Sequence, residues 1–248
     1  MFKYSSRFWL YAPTGLFLTL AIAMMIHWWL AAGALEKRLA ALKGHQAMPG
    51  VTLDWTTVQV GGFPFRLDTD FTNFRVTGAG AHGPAEWTAE RFAAHALTYG
   101  PGKIVYEAAG RQRVAWTGAD ASRHAAYFLP GSMRASSLAD QQGLARFDLD
   151  IVDMAASDFA FTRFQFHTRR GPTGLDLMVK TDSLADKKLV NFQVYATLSK
   201  AETLAPLLRG EMSWPAANAA WQAQGGKASL SQIITAGTPP EAFLSPLF

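Results

Sequence analysis

From Phe8 to Leu35 the chain carries no charged side chain. The stretch from Phe8 to Leu30 is 23 residues long. As a helix it would reach about 34 Å, enough for a hydrocarbon core of about 30 Å. Trp9 and Tyr11 stand near one end and Trp28 and Trp29 at the other. Amphipathic rings at both ends are what a membrane interface favours, so these four are the expected interface residues. Pro13 falls in the first turns, where its missing N–H costs little. A cleaved signal peptide would share the basic start at Lys3 and Arg7 and the small residues Ala32-Gly33-Ala34. Its apolar region would, however, be only about 7–15 residues long, so an uncleaved anchor is expected.

Lys and Arg flank the span on both sides, so their count does not set the orientation. A short basic start before a long domain leaves the start in the cytoplasm and the remainder in the periplasm or exterior. Beyond residue 34 the chain has 21 Lys and Arg against 19 Asp and Glu. That near balance gives no electrostatic footprint for nucleic acid. The chain has no cysteine, which excludes a disulfide scaffold, a thiol nucleophile and a cysteine-ligated metal.

Leu35, Leu39 and Leu42 continue a helical spacing out of the apolar run, ending near Gly44. The anchor and its extension therefore cover residues 1–44, and one domain covers 45–248. In that domain the period changes to two. Val51, Leu53 and Trp55 alternate with polar residues. Phe63, Phe65, Leu67 and Phe71 are read as sharing one strand face, with Arg66, Asp68 and Asp70 on the other. Further strand-like runs fall at Ile104–Tyr106, Val114–Trp116 and Phe147–Val152. Phe159 and Phe161, then Phe164 and Phe166, read as two short strands or as one with a bulge. Leu175–Val179 and Phe192–Leu198 complete the set, with short helices or loops at 201–208 and 216–224. The expected fold is mostly β: a curved, largely antiparallel sheet with a few short helices behind an N-terminal transmembrane helix. One internal echo stands out. Arg66-Leu-Asp-Thr-Asp-Phe-Thr-Asn-Phe74 and Arg146-Phe-Asp-Leu-Asp-Ile-Val-Asp-Met154 share one pattern, which suggests a strand unit used twice.

Gly61-Gly-Phe-Pro-Phe-Arg-Leu-Asp68, then Trp87-Thr-Ala-Glu-Arg-Phe-Ala-Ala-His-Ala-Leu97 and Tyr99-Gly100-Pro101, resemble a bacterial family catalogued as domain of unknown function 2125. The resemblance runs from about Val51 to Lys227 and includes no catalytic signature. That family is broadly similar to AsmA-like envelope proteins. The resemblance implies an inner-membrane, single-pass protein with a β-rich periplasmic domain, and for some relatives of the wider group an apolar groove that moves or shields lipid. The chain stops at Ser245-Pro-Leu-Phe248, where further strands would be expected, so a shortened C-terminal sheet is anticipated.

Chemistry candidates are few. Gly78-Ala-Gly-Ala-His-Gly83 fits G-x-G-x-x-G before a helix-capable run, Glu86–Leu97. A dinucleotide site needs an acid about 20 residues on, and Glu107 lies too far; a Gly-rich hairpin loop is the simpler reading. Asp68/Asp70 and Asp148/Asp150 share strand faces, but hard cations need more oxygens than one pair offers. The six His have no close ligand spacing. Neither a nucleophile elbow nor a Walker loop is present. No cofactor, metal site or enzymatic activity is expected. Phe63, Phe65, Leu67 and Phe71 remain the lipid-groove candidates, with closed core as the competing reading. The expected partners are the bilayer, a phospholipid ligand and an envelope protein. The alternative roles are an anchored scaffold for a protein partner and, lowest, a dinucleotide- or metal-dependent enzyme.

Overall fold

A computed structural model describes residues 6–80, 82–100, 102–156, 160–171, 174–185 and 188–236. Lys3, Pro101, Phe159 and Ser245–Phe248, used above, lie outside the described residues.

The apolar run forms a single helix, α1, over Ser6–Leu42. It is the one helix among the described residues long and apolar enough to cross a membrane. Trp9, Tyr11, Phe17, Met25 and Trp29 are all exposed on it, which suits a helix apolar on every side to lipid and not to water. Its last turns leave that regime. Ala32 is buried, and Leu39 and Leu42 pack on the aromatic core of the sheet.

All strands of the described residues belong to one 12-stranded sheet. Its members are β1 (His45–Met48), β2 (Val51–Asp54), β3 (Thr57–Gly61), β4 (Arg66–Ala79), β5 (Pro84–Leu97), β6 (Lys103–Thr117), β7 (Arg123–Asp140), β8 (Gly143–Ala156), β9 (Ala160–Arg170), β10 (Leu175–Ala185), β11 (Lys188–Leu198) and β12 (Ala228–Ala236). From β4 to β12 every strand pairs antiparallel with the next. β2 and β3 both lie along β4, with the strand interrupted between them at Trp55 and Thr56. A 3-10 turn (Ala201–Leu204) and two short helices, α2 (Ala205–Leu208) and α3 (Trp214–Ala223), fill the connection from β11 to β12.

Strict alternation would put Phe71 and Phe74 on opposite faces. Both are nevertheless buried, with ring centroids 5.1 Å apart. The cause is Asn73, which adopts φ 50° and turns the strand over by one residue; Asn tolerates this left-handed conformation better than most residues. The same event recurs at Gly110 of β6 and Asp153 of β8, with φ 78° and 51°. Register shifts accompany it between β5 and β6, β6 and β7, and β9 and β10. A crease thus crosses the sheet. One face stays apolar on both sides of it, from Leu67 and Phe71 below to Phe74 and Val76 above.

Two strands depart from the sequence expectation. β7 falls where no strand-like run is expected from the sequence, and it passes through Pro130-Gly131. Pro130 faces the unpaired gap in β6 between Ala108 and Gln112, where no ladder bond needs its N–H. The helix-capable run Glu86–Leu97 is the central strand β5. Ala89 lies opposite Phe74 and Ala94 opposite Tyr106. Small side chains there make room for the rings of neighbouring strands, and pairing on both sides overrides helix propensity.

The echo is a repeated hairpin. Asp68 pairs with His95 across β4 and β5, and Asp148 with His167 across β8 and β9. A second match accompanies the first: Arg91-Phe-Ala-Ala-His95 corresponds to Arg163-Phe-Gln-Phe-His167.

Candidate functional site: an apolar groove on one face of the sheet

The two faces differ in kind. On one, His95 Nδ1 donates to Asp68 Oδ1 at 2.7 Å, and Arg66 holds the same carboxylate at 2.8 Å. The repeat does likewise: His167 Nδ1 lies 2.6 Å from Asp148 Oδ1, and Arg146 Nε lies 2.7 Å from Asp148 Oδ2. Arg163 forks onto Asp150 with both contacts under 3 Å, and Arg113 and Arg75 share Glu86. Partial burial pushes the Asp68 and Asp148 carboxyls up, but the hydrogen bonds and charges of their Arg and His partners outweigh it. Both end below the ordinary carboxylate value. Of the carboxylates singled out from the sequence, Asp68, Asp148 and Asp150 are thus engaged by basic side chains of the protein itself. No group of three or more His, Asp or Glu able to hold a metal occurs among the described residues.

The other face is aromatic and aliphatic. Near α1 it closes into a core of Trp55, Phe71 and Phe74, backed by Trp87, Phe92, Val76, Leu39 and Leu42. Phe74 stacks on Phe92 at 4.3 Å, and Trp55 meets Phe71 edge-on at 5.1 Å. Beyond that core the face opens into a groove of about 470 Å³ over β5 to β9, within the size range of small-molecule sites. Its lining includes Trp87, Val114, Phe128, Met133, Ile151 and Phe164, and no charged side chain contributes. The Trp87 indole N–H is spent on Gln112 Oε1 at 2.9 Å. Gln112 is itself buried, and its Nε2 has no partner.

The structure separates the four groove candidates. Phe71 is closed core, 6% exposed. Leu67 lies in β4 on the apolar face, half-buried. Phe63 and Phe65 precede β4 and are 52% and 51% exposed in the loop between β3 and β4. The four do not form one strand face, because the strand begins only at Arg66. The groove residues themselves escaped the reading: across the crease they recur at spacing three, as in Ile151/Met154 and Phe161/Phe164, so no period-two run marks them. Of the interface candidates, Trp28 is half-buried: its Nε1 donates to the Arg66 carbonyl at 2.7 Å, and its ring meets Phe63 edge-on at 5.4 Å. Trp9, Tyr11 and Trp29 are exposed on α1. Gly78 lies in β4 and Gly83 immediately precedes β5, and the hairpin is closed by Gly80 N–H to Gly83 carbonyl at 2.7 Å. No helix follows it, so it lacks the helix N-terminus a pyrophosphate would need.

A helix of membrane-crossing length leads here into one creased antiparallel meander with a charged face and an apolar, grooved one. That is a β-rich protein behind an N-terminal helix. The chain belongs to the family described as an uncharacterized protein conserved in bacteria (DUF2125), whose model matches residues 28–238. No curated protein and no solved structure matches the chain.

Proposed function

We propose that this is an inner-membrane-anchored periplasmic protein whose sheet receives the acyl chain of a phospholipid in its apolar groove, guiding lipid or supporting envelope assembly. The observation that carries the reading is the groove itself. It is lined by apolar side chains, open on one side, and continued along β8 and β9 by the paired Leu149 and Phe166. An open apolar surface of this kind calls for a ligand. The anchor supplies the setting, since α1 keeps the groove within reach of a bilayer. The resemblance to AsmA-like envelope proteins points the same way and to the same compartment.

The test is photo-crosslinking in cells, with a photoreactive phenylalanine analogue placed at Phe128 or Met154. A phospholipid adduct at both positions, and none with the analogue at the outward Arg134, is expected. A stable, folded protein with no lipid adduct would overturn the reading. An alkaline phosphatase fusion after Phe248 tests the compartment: activity is expected, and a stable inactive fusion would put the sheet in the cytoplasm.

A second reading, an anchored scaffold, has one observation in its favour. β12 is an edge strand with Leu230 and Ile233 exposed, and an open edge can accept a strand from a partner. Protein adducts confined to β12 positions would favour it.

A further inference from the structure

The end of the sheet beside Trp28 carries side chains that neither core nor groove uses. Phe63 and Phe65 stand half-exposed at the tip of the loop before β4, Tyr99 is 67% exposed in the turn after β5, and Leu97 is exposed beside it. The two turns are tied together, since Thr98 gives both its backbone N–H and its hydroxyl to the Phe65 carbonyl at 3.0 Å. Lys103, at the start of β6, is exposed and makes no ion pair among the described residues. Arg66, at the start of β4, has a half-exposed side chain.

Their height is fixed by α1. Trp9 and Trp28 are 19 residues apart on one helix, about 28 Å of rise, close to the hydrocarbon thickness, so Trp28 marks one interface. Trp28 touches Phe63 and Arg66 directly. Farther along, Leu39 packs on the cluster of Trp55, Phe71 and Phe74. The helix rises about 16 Å from Trp28 to Leu39, and β4 advances about 16 Å from Arg66 to Phe71, so helix and strand climb together. The strands stand away from the plane at Trp28, and their turns face it.

We propose that this end of the sheet rests on the bilayer surface from which α1 emerges. Phe63, Phe65 and Tyr99 sit in the boundary between headgroups and acyl chains, with Lys103 and the Nη1 of Arg66, whose Nε and Nη2 hold Asp68, at the lipid phosphates. Aromatic rings and basic side chains are the residues that such an interface selects. The proposal rests on reading α1 as a membrane span. It fixes the sheet at two points, helix and loop, so the apolar face opens at a set height above the lipid.

The chain has no cysteine, so single probes can be placed without a background. The full chain is reconstituted in phosphatidylcholine/phosphatidylglycerol nanodiscs with an environment-sensitive fluorophore on Phe65→Cys, Tyr99→Cys, Leu18→Cys or Leu129→Cys. Quenching is read with lipids bearing a nitroxide at a shallow or a deep acyl position. Leu18 lies mid-span; Leu129 is exposed near the level of Phe74, about 26 Å of strand from Arg66. The expected result is stronger quenching of positions 65 and 99 by the shallow nitroxide, of position 18 by the deep one, and of position 129 by neither. If position 18 is not quenched, the span reading fails. If position 18 is quenched while 65 and 99 respond as little as 129, the span stands and the bilayer contact is overturned.

Discussion

Asn73 and Asp153 do the same work in two hairpins: each adopts a left-handed backbone, φ 50° and 51°, at the residue before a large apolar side chain of the inner face. Asn73 lies between Phe71 and Phe74, and Asp153 between Ile151 and Met154. Both turn a strand over so that residues three apart share a face. Asn73→Gly should leave stability near that of the parent. Asn73→Val forces a β-branched side chain into the left-handed region and should cost about 1–2 kcal/mol. Thermal unfolding of the full chain in micelles, followed by circular dichroism of the β signal, measures both. Equal losses for Gly and Val would show that the side-chain contacts of Asn73, and not its backbone, matter.

Core and groove should answer differently to truncation. Phe71 is enclosed by Trp55, Phe74 and Phe92, and Phe71→Ala should destabilise by about 3–5 kcal/mol. Phe128, half-buried at the groove, should cost clearly less on Phe128→Ser. Yet Phe128→Ser should abolish lipid crosslinking from a probe at Met154. Chemical denaturation and the crosslinking yield, taken together, check the pair.

Acid should weaken the outer face in two equivalent places. Asp68 and Asp148 have pKa values lowered from 3.8 in the folded protein. A carboxylate depressed on folding stabilises above its ordinary pKa, and that contribution is lost as pH falls through the folded value. Tm should therefore fall as pH drops below about 4. In the double variant Asp68→Asn/Asp148→Asn the Tm near neutrality should be lower and the acid slope shallower. An unchanged slope would assign the acid sensitivity to other groups.

The indole N–H of Trp28 is tied to the Arg66 carbonyl. Trp28→Phe keeps a ring against Phe63 and removes that bond, at a cost of about 1 kcal/mol. Trp28→Ala removes both. Backbone hydrogen exchange over residues 62–66 should rise modestly in the first variant and more in the second. Equal exchange in all three proteins would show that the loop holds its place without the helix.

The helix was legible because a charge-free run of this length has few other uses, and the β character was legible wherever alternation held, as in Phe147–Ile151 and Phe192–Leu198. The duplicated hairpin was half legible. Its first strands match in chemistry at every second position, whereas the match of Arg91–His95 with Arg163–His167 hides behind a change in intervening length. The groove was not legible. Its walls come from five strands, and the crease breaks the alternation at the step where those side chains change register. Phe63 and Phe65 show the converse error. With Leu67 they alternate with Arg66 and Asp68 as a strand would, but Gly62, at φ 93°, turns the chain before β4 begins, and period alone cannot see where a strand starts.

A meander in which each strand pairs with the one synthesised just before it has no step that waits for a distant partner. Once β2 to β4 have packed on the end of α1, every later strand finds its template already in place, and, except for the helical connection from β11 to β12, the loops that close the hairpins are short. Growth of the sheet is then an extension that can halt after any hairpin and still leave a properly paired structure. Gain or loss of one hairpin would lengthen or shorten the apolar surface without rebuilding the part that stands beside the helix.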